Sequence, residues 1–362
     1  MSDKLTEARE IINRVDSEMA RLFEERMAAA AMIAEYKKER GIEIYDALRE
    51  AEVIKRGSSR IRDDAVREYY INFLSSTMAV SRAYQARLME GMRVAYCGTE
   101  GAFAHIATGK LFPTARKVGY STFEEAYNAV VDGECEVAVL PVENSYNGEV
   151  GQVTDLMFRG SLYLCGMTEL AITQDLLTVP GATLADIKEV VSHPQALGQC
   201  ADFIKERGLI ASEYSNTALA AKYVREKGDR TVAAIASAEA AEIFGLEVAV
   251  RGINASRNNT TRFAIFSRIE PKYSEKEIGV HSVITFTVRN EAGALAKAIE
   301  IIGRHGFNMN SLRSRPMKDL LWEYYFYVEA DGNANTENGE HMMRELAEYC
   351  DRLRIVGTYI KK

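Results

Sequence analysis

Residues that break helices are scarce at the start of this chain. No proline precedes Pro113, and glycine occurs in the first 92 residues only at Gly41, Gly57 and Gly91. Because proline interrupts helices and glycine weakens them, the segment up to about Gly91 predicts long helices. Apolar residues three and four positions apart predict that the first helix runs from about residue 4 to residue 40.

Three cations lie on the apolar stripe of this first helix. The stripe runs through Ile12, Met19, Phe23, Ala30 and Ile33. At the same spacing it also contains Arg9, Arg26 and Lys37. Since a buried charge needs a partner of opposite charge, the pattern indicates an anionic ligand. In the alternative interpretation, each cation reaches solvent along its aliphatic stem and pairs with a glutamate.

The spacing of the three cations indicates a helical dimer. At about 1.5 Å per residue, Arg26 and Lys37 lie roughly 16 Å apart, and Arg9 lies roughly 25 Å from Arg26. One small ligand cannot contact all three on a single helix. If the helix pairs antiparallel with a second copy, Arg9 of the partner subunit falls between Arg26 and Lys37, which creates two identical sites.

Polar residues continue at helical spacing beyond the first helix. Asp46, Arg49 and Glu50 share the opening turn of a second predicted helix, and Ser81 and Gln85 lie one turn apart on a third. This order of polar residues resembles the all-helical chorismate mutase family over about residues 5–90, and so does the preceding segment AREIINRVDSEMARLFEERMAAA. The resemblance is carried by Arg9, Arg26, Lys37, Asp46, Arg49, Glu50, Ser81 and Gln85.

The resemblance implies a pericyclic rearrangement of chorismate to prephenate, which needs positioning and charge placement but no cofactor. The arginines would clamp the two carboxylates of the substrate. Lys37 and Gln85 would donate hydrogen bonds to the ether oxygen, where negative charge develops. Asp46 and Glu50 would bind the ring hydroxyl, and Ser81 would add a further substrate contact. Alternatively, the helical domain serves only to dimerise the chain.

Charge and cysteine content exclude several classes of protein. The chain has 45 Lys and Arg against 52 Asp and Glu, a net charge of -7, which disfavours binding to nucleic acid or anionic membranes. The five cysteines are at least 30 residues apart, and the five histidines form no ligand pair. Neither disulfides nor a metal site are expected. Since the N-terminus has no apolar signal segment, we expect a cytoplasmic protein. We also expect no cofactor.

A shift in composition near Gly91 begins a second region. Short β-rich runs alternate with helical stretches from Arg93 onward, among them RVAYCG, EVAVLPVE, TVAAIAS and TRFAIFS. This alternation predicts an α/β architecture, in which binding residues lie on loops at the ends of strands. Four motifs fall on such loops: GTEGAFAHIA (98–107), PVENSYNG (141–148), SHPQALGQC (192–200) and NNTTRF (258–263).

Together, and in this order, the four motifs resemble prephenate dehydratase over about residues 93–268. The resemblance implies two α/β lobes, similar to periplasmic binding proteins, with the substrate in the cleft between them. The ring carboxylate would leave as carbon dioxide and the 4-hydroxyl as water, and phenylpyruvate would form. Thr261 would be catalytic and donate to the departing oxygen, while Arg262 or neighbouring backbone amides hold a carboxylate. The implied substrate contacts are Glu143, Asn144, Ser145, Ser192, His193, Gln195, Arg262 and Phe263.

Alternatives remain for this second region. His193 alone is more typical of a hydrogen-bonded structural histidine, and the Thr-Arg-Phe motif could simply begin a strand. Ala104 and Gln174 depart from the family pattern, which has Ser or Thr and His at these positions. Arogenate dehydratases share the motifs, so an amino-group substrate is an alternative to prephenate. A non-catalytic solute receptor is the rival outside the enzymes, although a receptor would carry an export signal.

A polar linker at residues 269–280 precedes a third region, whose pattern predicts the order βαββαβ and a small ferredoxin-like module. GALA (293–296) and RSRP (313–316) resemble an ACT domain that senses phenylalanine. The implied effector contacts are Gly293, Ala294, Leu295, Arg313, Ser314, Arg315 and Pro316. Arg313 stands where the family has Glu, and a role in dimerisation alone is the alternative.

The sequence therefore predicts three domains: an all-helical chorismate mutase domain (1–91), a bilobal α/β dehydratase domain (92–270) and an α+β ACT domain (278–362). The expected protein is a bifunctional enzyme of phenylalanine biosynthesis that is inhibited by L-phenylalanine. Its expected assembly is a dimer or a tetramer.

Overall fold

The structure is a computed structural model that describes residues 2–255, 258–317 and 323–361. It divides into two compact units, Met1–Met92 and Arg93–Lys362. In these described ranges, no helix combines the length and the apolar character needed to cross a membrane.

Unit 1 consists of three helices. They are α1 (Ser2–Arg40), α2 (Ala47–Ser58) and α3 (Asp64–Glu90). Asp46 caps the N-terminus of α2 by accepting a hydrogen bond from the Arg49 backbone, and Asp63 caps α3 in the same way. A Cβ at Gly57 would lie 2.6 Å from a methyl carbon of Leu74, so glycine permits the close approach of α2 to α3. The predicted long helices are confirmed.

The two ends of α1 differ in burial. Its fully buried residues, Ala30 and Ala34, lie near its C-terminal end. The apolar residues of the N-terminal half are exposed, among them Leu5, Ile12, Val15, Met19, Leu22 and Phe23. Because a helix of 39 residues is about 58 Å long, this face of the chain carries a long apolar surface.

Unit 2 begins with an α/β lobe. Its elements up to residue 171 are β1 (Arg93–Cys97), α4 (Phe103–Leu111), β2 (Arg116–Tyr120), α5 (Phe123–Val131), β3 (Val137–Asn144), β4 (Gly148–Glu149), α6 (Gly151–Arg159) and β5 (Tyr163–Ala171). The chain then crosses into a second lobe. That lobe contains β6 (Asp175–Thr178), β7 (Glu189–Ser192), α7 (Pro194–Gln199), α8 (Ala201–Arg207), β8 (Ile210–Glu213), α9 (Thr217–Lys227), β9 (Val232–Ala236), α10 (Ala238–Phe244) and β10 (Glu247–Val250).

The chain returns to the first lobe through β11 (Thr260–Ser267). The sheet of the first lobe has the order β2-β1-β3-β11-β5, with β4 paired to β3, and the sheet of the second lobe has the order β10-β6-β9-β7-β8. Strands β1, β2 and β3 are parallel, whereas β11 is antiparallel to both of its neighbours. The predicted bilobal α/β region is therefore present, and its two crossings place a cleft between the lobes.

The C-terminal module has the predicted element order. It consists of β12 (Val280–Val288), α11 (Ala294–Arg304), β13 (Asn308–Pro316), β14 (Tyr324–Asp331), α12 (Glu337–Leu346) and β15 (Cys350–Ile360). Its antiparallel sheet has the order β13-β14-β12-β15. The run LWEYYFYVEA was expected to form one strand; Leu321 and Trp322 lie outside the described residues.

The C-terminal module packs directly on the first lobe. Val283, Tyr327 and Val356 of the module share a hydrophobic core with Leu164 and Phe266 of the lobe. A Cβ at Gly357 would lie 2.0 Å from the Leu164 carbonyl oxygen, so the backbones of β15 and β5 touch there. The module and the lobe are thus joined by a common core.

Candidate active sites

A cavity of about 350 Å³ lies between the two lobes of unit 2. The first lobe contributes Asn144, Asn147, Thr261 and Phe263, which belong to two of the sequence motifs. From the second lobe come Gln174, His193, Gln195, Gln199 and Asn216. The predicted site residues Asn144, His193, Gln195, Thr261 and Phe263 therefore meet at one cavity.

Thr261 is held by Asn144 across the β3-β11 ladder, where the two residues are paired. The Asn144 amide nitrogen donates to the Thr261 hydroxyl oxygen at 2.9 Å. The Asn144 amide oxygen accepts from the Tyr146 and Asn147 backbone nitrogens, both at 3.0 Å, which fixes the orientation of the amide. Because the Thr261 oxygen already accepts a hydrogen bond, its own hydrogen is free to be donated into the cavity.

Arg262 does not line the cavity, which corrects the expectation that it binds a substrate carboxylate. Successive side chains of a strand point to opposite faces, so Arg262 points away from the face that carries Thr261 and Phe263. Its guanidinium donates to both carboxylate oxygens of Glu329, at 2.7 and 3.0 Å. Burial opposes ionisation of Glu329, but hydrogen bonds from Arg262 and Tyr359 outweigh it and hold the pKa of Glu329 below its usual value.

Three further predicted contacts also lie off the cavity. Glu143 alternates with Asn144 along β3, and its carboxylate pairs with Arg313 at 2.7 Å. Ser145 accepts from the Thr260 backbone nitrogen at 2.9 Å and donates to the Asn258 carbonyl, so it fixes a turn. Ser192 is fully buried and donates to the Ile235 carbonyl at 2.6 Å. These residues stabilise the walls of the site and do not face a ligand.

His193 has both a structural position and a place at the cavity. It is the N-cap of α7, where its Nδ1 accepts from the Gln195 backbone nitrogen at 3.3 Å. Through Nδ1, His193 therefore makes a local hydrogen bond of the kind expected of a structural histidine. The same residue also lines the cavity beside Gln195.

Several carboxamides at the cavity were not predicted as site residues. Gln174 and Asn259 are buried there, and the Gln174 amide oxygen and the Asn259 amide nitrogen have no hydrogen-bond partner among the described residues. Leaving such atoms unpaired costs about 1–3 kcal/mol each, so both suit a polar ligand. None of the described lining residues is Lys or Arg, and Glu149 is a charged residue among them. Gln174 was noticed in the sequence only as a departure from a family pattern.

In unit 1, the structure joins Arg26 of α1 to α3. The Arg26 guanidinium donates to the Ser81 hydroxyl and, at 3.4 Å, to the Thr77 carbonyl. Gln85 lies one turn beyond Ser81; both are buried, and the Gln85 amide oxygen has no partner among the described residues. Burial lowers the pKa of Arg26. A half-buried cation beside a hydroxyl donor is a suitable site for an anion.

The other predicted residues of unit 1 have local partners. The Lys37 amine donates to the Ile44 carbonyl at 2.5 Å, and Glu50 forms an ion pair with Arg82, which the sequence did not single out. Asp46 caps α2, and the side chain of Arg49 pairs with Glu52 at 2.6 Å. Arg9 lies on the exposed half of α1 and contributes nothing to the Arg26 cluster of the same chain.

The two predicted effector motifs lie in the C-terminal module. Gly293 has a φ of +85° and caps α11, whose first residues are Ala294 and Leu295. Ser314 and Pro316 are exposed on one face of β13. Arg313 and Arg315 point the other way, and their guanidinium groups contact Glu143 and Asp155 of the first lobe. The arginine side chains therefore bind the dehydratase lobe, which corrects their assignment as direct effector contacts.

Two family models match the chain, one over unit 1 and one over the two lobes of unit 2. Residues 8–86 match "Chorismate mutase type II", and residues 94–271 match "Prephenate dehydratase". A bifunctional chorismate mutase/prephenate dehydratase of Neisseria gonorrhoeae is 32% identical over 358 residues, which is 97% of this chain and 95% of the relative. The arogenate dehydratase/prephenate dehydratase 2 of Arabidopsis thaliana is 32% identical over 277 residues, 74% of this chain and 72% of the relative.

Solved structures match the part of the chain that contains the cleft. A protein described as the quorum-quenching acylase GqqA has a TM-score of 0.69 and 32% identity, covering 75% of this chain and 98% of its own. The prephenate dehydratase of Arthrobacter aurescens, solved in complex with L-Phe, has a TM-score of 0.68 and 25% identity, covering 75% of this chain and 90% of its own. With a near full-length relative and a family model for each unit, the chain belongs to the bifunctional chorismate mutase/prephenate dehydratase family.

Proposed function

We propose that the two reactions of the family take place in the two sites described above. Chorismate rearranges to prephenate at the Arg26 cluster of unit 1, and prephenate is converted to phenylpyruvate in the cleft of unit 2. The observation that carries this proposal is the hydrogen bond from Asn144 to Thr261, because it leaves a directed hydroxyl hydrogen at the cavity.

In the dehydratase reaction, the bond between the ring and its carboxylate breaks, and carbon dioxide leaves. The released electron pair enters the ring, which becomes aromatic as the bond to the 4-hydroxyl breaks. The departing oxygen takes a proton from solvent water and leaves as water. Thr261 donates the hydrogen bond that stabilises this oxygen, and Asn144 keeps the hydroxyl oriented. His193, Gln195 and Phe263 contact the rest of the substrate.

In the mutase reaction, Arg26 and Arg49 bind carboxylates, while Lys37 and Gln85 donate to the ether oxygen. Asp46, Glu50 and Ser81 complete the substrate contacts. A second copy supplies Arg9, because in one chain Arg9 lies about 25 Å along α1 from Arg26. The exposed apolar half of α1 supports this dimer, since an apolar face of that length is suited to pairing with another helix.

The C-terminal module acts as an ACT domain that binds L-phenylalanine near Gly293, Ala294 and Leu295 and the exposed residues Ser314 and Pro316. The βαββαβ order supports this assignment, as does the L-Phe complex of the Arthrobacter aurescens relative. The proposed domains are residues 1–91, 92–270 and 278–362. A dimer or tetramer and a cytoplasmic location stay predictions.

One experiment tests both activities. The purified full-length protein is incubated with chorismate, without added metal or nucleotide, and chorismate and phenylpyruvate are measured over time with and without L-phenylalanine. We expect chorismate loss, phenylpyruvate formation and inhibition by L-phenylalanine. Accumulation of prephenate without phenylpyruvate would reject the dehydratase assignment for this substrate, and arogenate would then be tested in the same way.

A further inference from the structure

Two arginines of the C-terminal module reach the wall of the dehydratase cavity. Arg313 and Arg315 are two residues apart on β13, so their side chains share one face of the strand. Both point to the hairpin formed by β3 and β4. This hairpin carries Asn144 and Asn147, which line the cavity. The module thus contacts the part of the site that orients Thr261.

The hairpin contains a pair of like charges that needs compensation. Glu143 of β3 lies directly opposite Glu149 of β4 in the ladder, and Asn144 lies opposite Gly148. Two carboxylates at opposed positions repel each other and weaken the pairing of the strands. Arg313 binds Glu143 at 2.7 Å, and Arg315 approaches Glu149 at 3.6 Å. Arg262 also lies 3.5 Å from the same Glu143 oxygen, but its guanidinium is engaged by Glu329, so Arg313 is the nearer cation of the β3 leg of the hairpin.

Arg315 is fixed firmly in this position. Its Nε donates to Asp155 at 2.9 Å and contacts the Tyr325 hydroxyl at 3.1 Å, and that hydroxyl donates to the same carboxylate oxygen at 2.7 Å. A Cβ at Gly151 would lie 2.1 Å from an Arg315 terminal nitrogen, so a larger residue there would displace the guanidinium. The side chain of Arg315 therefore packs against Gly151 and Asp155 of the first lobe.

We propose that Arg313 and Arg315 are positioning residues of the dehydratase reaction: by holding Glu143 and Glu149 they set the hairpin that orients Asn144 and, through it, the Thr261 hydroxyl. The dehydratase site is then completed by the C-terminal module, whatever effector that module binds. This inference rests on the proposed roles of Thr261 and Asn144.

The first test is Arg313→Gln in the full-length protein. A small displacement of a catalytic group costs roughly 10- to 100-fold in rate, so we expect kcat for prephenate to fall by that factor while KM changes by less than about threefold. The mutase rate of the same preparation stays at the wild-type value because the change lies in the other unit. An unchanged thermal unfolding curve of unit 2 shows that the variant is folded. Arg304→Gln is the matched control: it removes an arginine that pairs with Glu345 inside the module, and its kcat should be unchanged.

Two further variants separate positioning from general stability. Arg313→Lys keeps the charge and should recover most of kcat. Glu143→Gln combined with Arg313→Gln removes the opposed carboxylates, and we expect it to be several-fold more active than Arg313→Gln alone. If Arg313→Gln is recovered unfolded, the other two variants still decide the matter. A folded Arg313→Lys or a folded double variant that loses kcat roughly 100-fold would overturn the positioning role, because the first keeps the cation and the second removes the carboxylate that needs it.

The outcomes distinguish this inference from the proposed function. Wild-type protein that forms no phenylpyruvate, or Thr261→Val with full activity, rejects the proposed function. An active wild type whose Arg313→Gln variant keeps its kcat within about twofold overturns the positioning role alone. A loss of kcat that the double variant does not relieve also overturns it, since the charges of the hairpin would then not be the cause.

Discussion

The two units build their sites in opposite ways. Unit 2 surrounds a cavity with two lobes of one chain, and its predicted catalytic residue, Thr261, is 9% exposed. In its described residues, unit 1 buries Ser81 and Gln85 at its candidate site, half-buries Arg26, and leaves Arg9 and the apolar half of α1 exposed. A short helical segment has too little core to enclose a ligand, whereas two packed sheets enclose one between them. We therefore expect the mutase to depend on assembly and the dehydratase to depend on the fold of a single chain.

The largest expected effect separates the two sites. Thr261→Val removes the hydroxyl at nearly constant side-chain volume, so the dehydratase rate should fall by about 10²- to 10⁴-fold. The mutase rate should not change, because Thr261 lies in the other unit. Both rates are measured on one preparation with chorismate and prephenate as separate substrates. Retained dehydratase activity would remove Thr261 from the mechanism.

The converse change is Arg26→Ala. Loss of a buried, charge-assisted contact to a carboxylate costs about 3 kcal/mol, so the mutase rate should fall roughly 100-fold while the dehydratase is unaffected. Arg21→Ala on the same helix is the control, since Arg21 pairs with Glu18 and Glu25 on the exposed surface. A mutase rate equal to that of the control would show that Arg26 does not clamp the substrate.

Acid should destabilise unit 2 through Glu329. Its pKa is lowered in the folded protein, so its contribution to stability is complete above the ordinary pKa of a glutamate and is lost as the pH falls through the lowered value. Glu329→Gln removes the closer of the two carboxylates at Arg262 and should cost about 3 kcal/mol of unfolding free energy at pH 7. Urea unfolding of both proteins from pH 7 to pH 3 should show this difference shrinking in acid; a constant difference would contradict it.

A mixing experiment addresses the assembly of unit 1. Arg9→Ala and Arg26→Ala should each have little mutase activity alone. If each site takes Arg9 from the partner subunit, a mixed dimer has one intact site of two, and half of the dimers are mixed after random exchange. An equal mixture should then recover about a quarter of the wild-type mutase activity. Activity no higher than the average of the two parents would mean that each chain builds its own site.

The smallest effect concerns Asp46, which has two assigned roles. As an N-cap it can be replaced by Asn at a cost of a few tenths of a kcal/mol, because both residues cap helices well. Asp46→Asn should therefore leave the melting temperature nearly unchanged. If the mutase rate falls, the cause is the loss of the carboxylate charge at the substrate. Asp63→Asn, at the cap of α3, is the control. A large loss of stability would instead mean that the carboxylate charge is structural.

Local patterns were sufficient to predict the elements of this fold. Residue spacing and the scarcity of glycine and proline indicated α1 and the start of α2, and the βαββαβ order follows from the alternation of runs near the C-terminus. Arg262 and Glu143 lie off the cavity for a reason that the sequence already contains. Arg262 follows Thr261 on β11, and Glu143 precedes Asn144 on β3. Because successive side chains of a strand alternate, both point away from the cavity.

Other parts of the site depend on tertiary structure. Gln174 and Gln199 reach the cavity because the second lobe faces the first, and no local pattern specifies that meeting. The contact between Arg313 and Glu143 joins residues 170 positions apart in the chain. Arg313 was recognised as a departure from a family motif, but its partner could be identified only from the packing of β13 on the first lobe.

The common core of the C-terminal module and the first lobe has a consequence for strain engineering. Removing the module to abolish inhibition would expose Leu164, Phe266 and the surrounding apolar surface to water, and the shortened chain would aggregate. A producer strain is better served by single replacements on the exposed face of β13, such as Ser314, which leave the shared core intact.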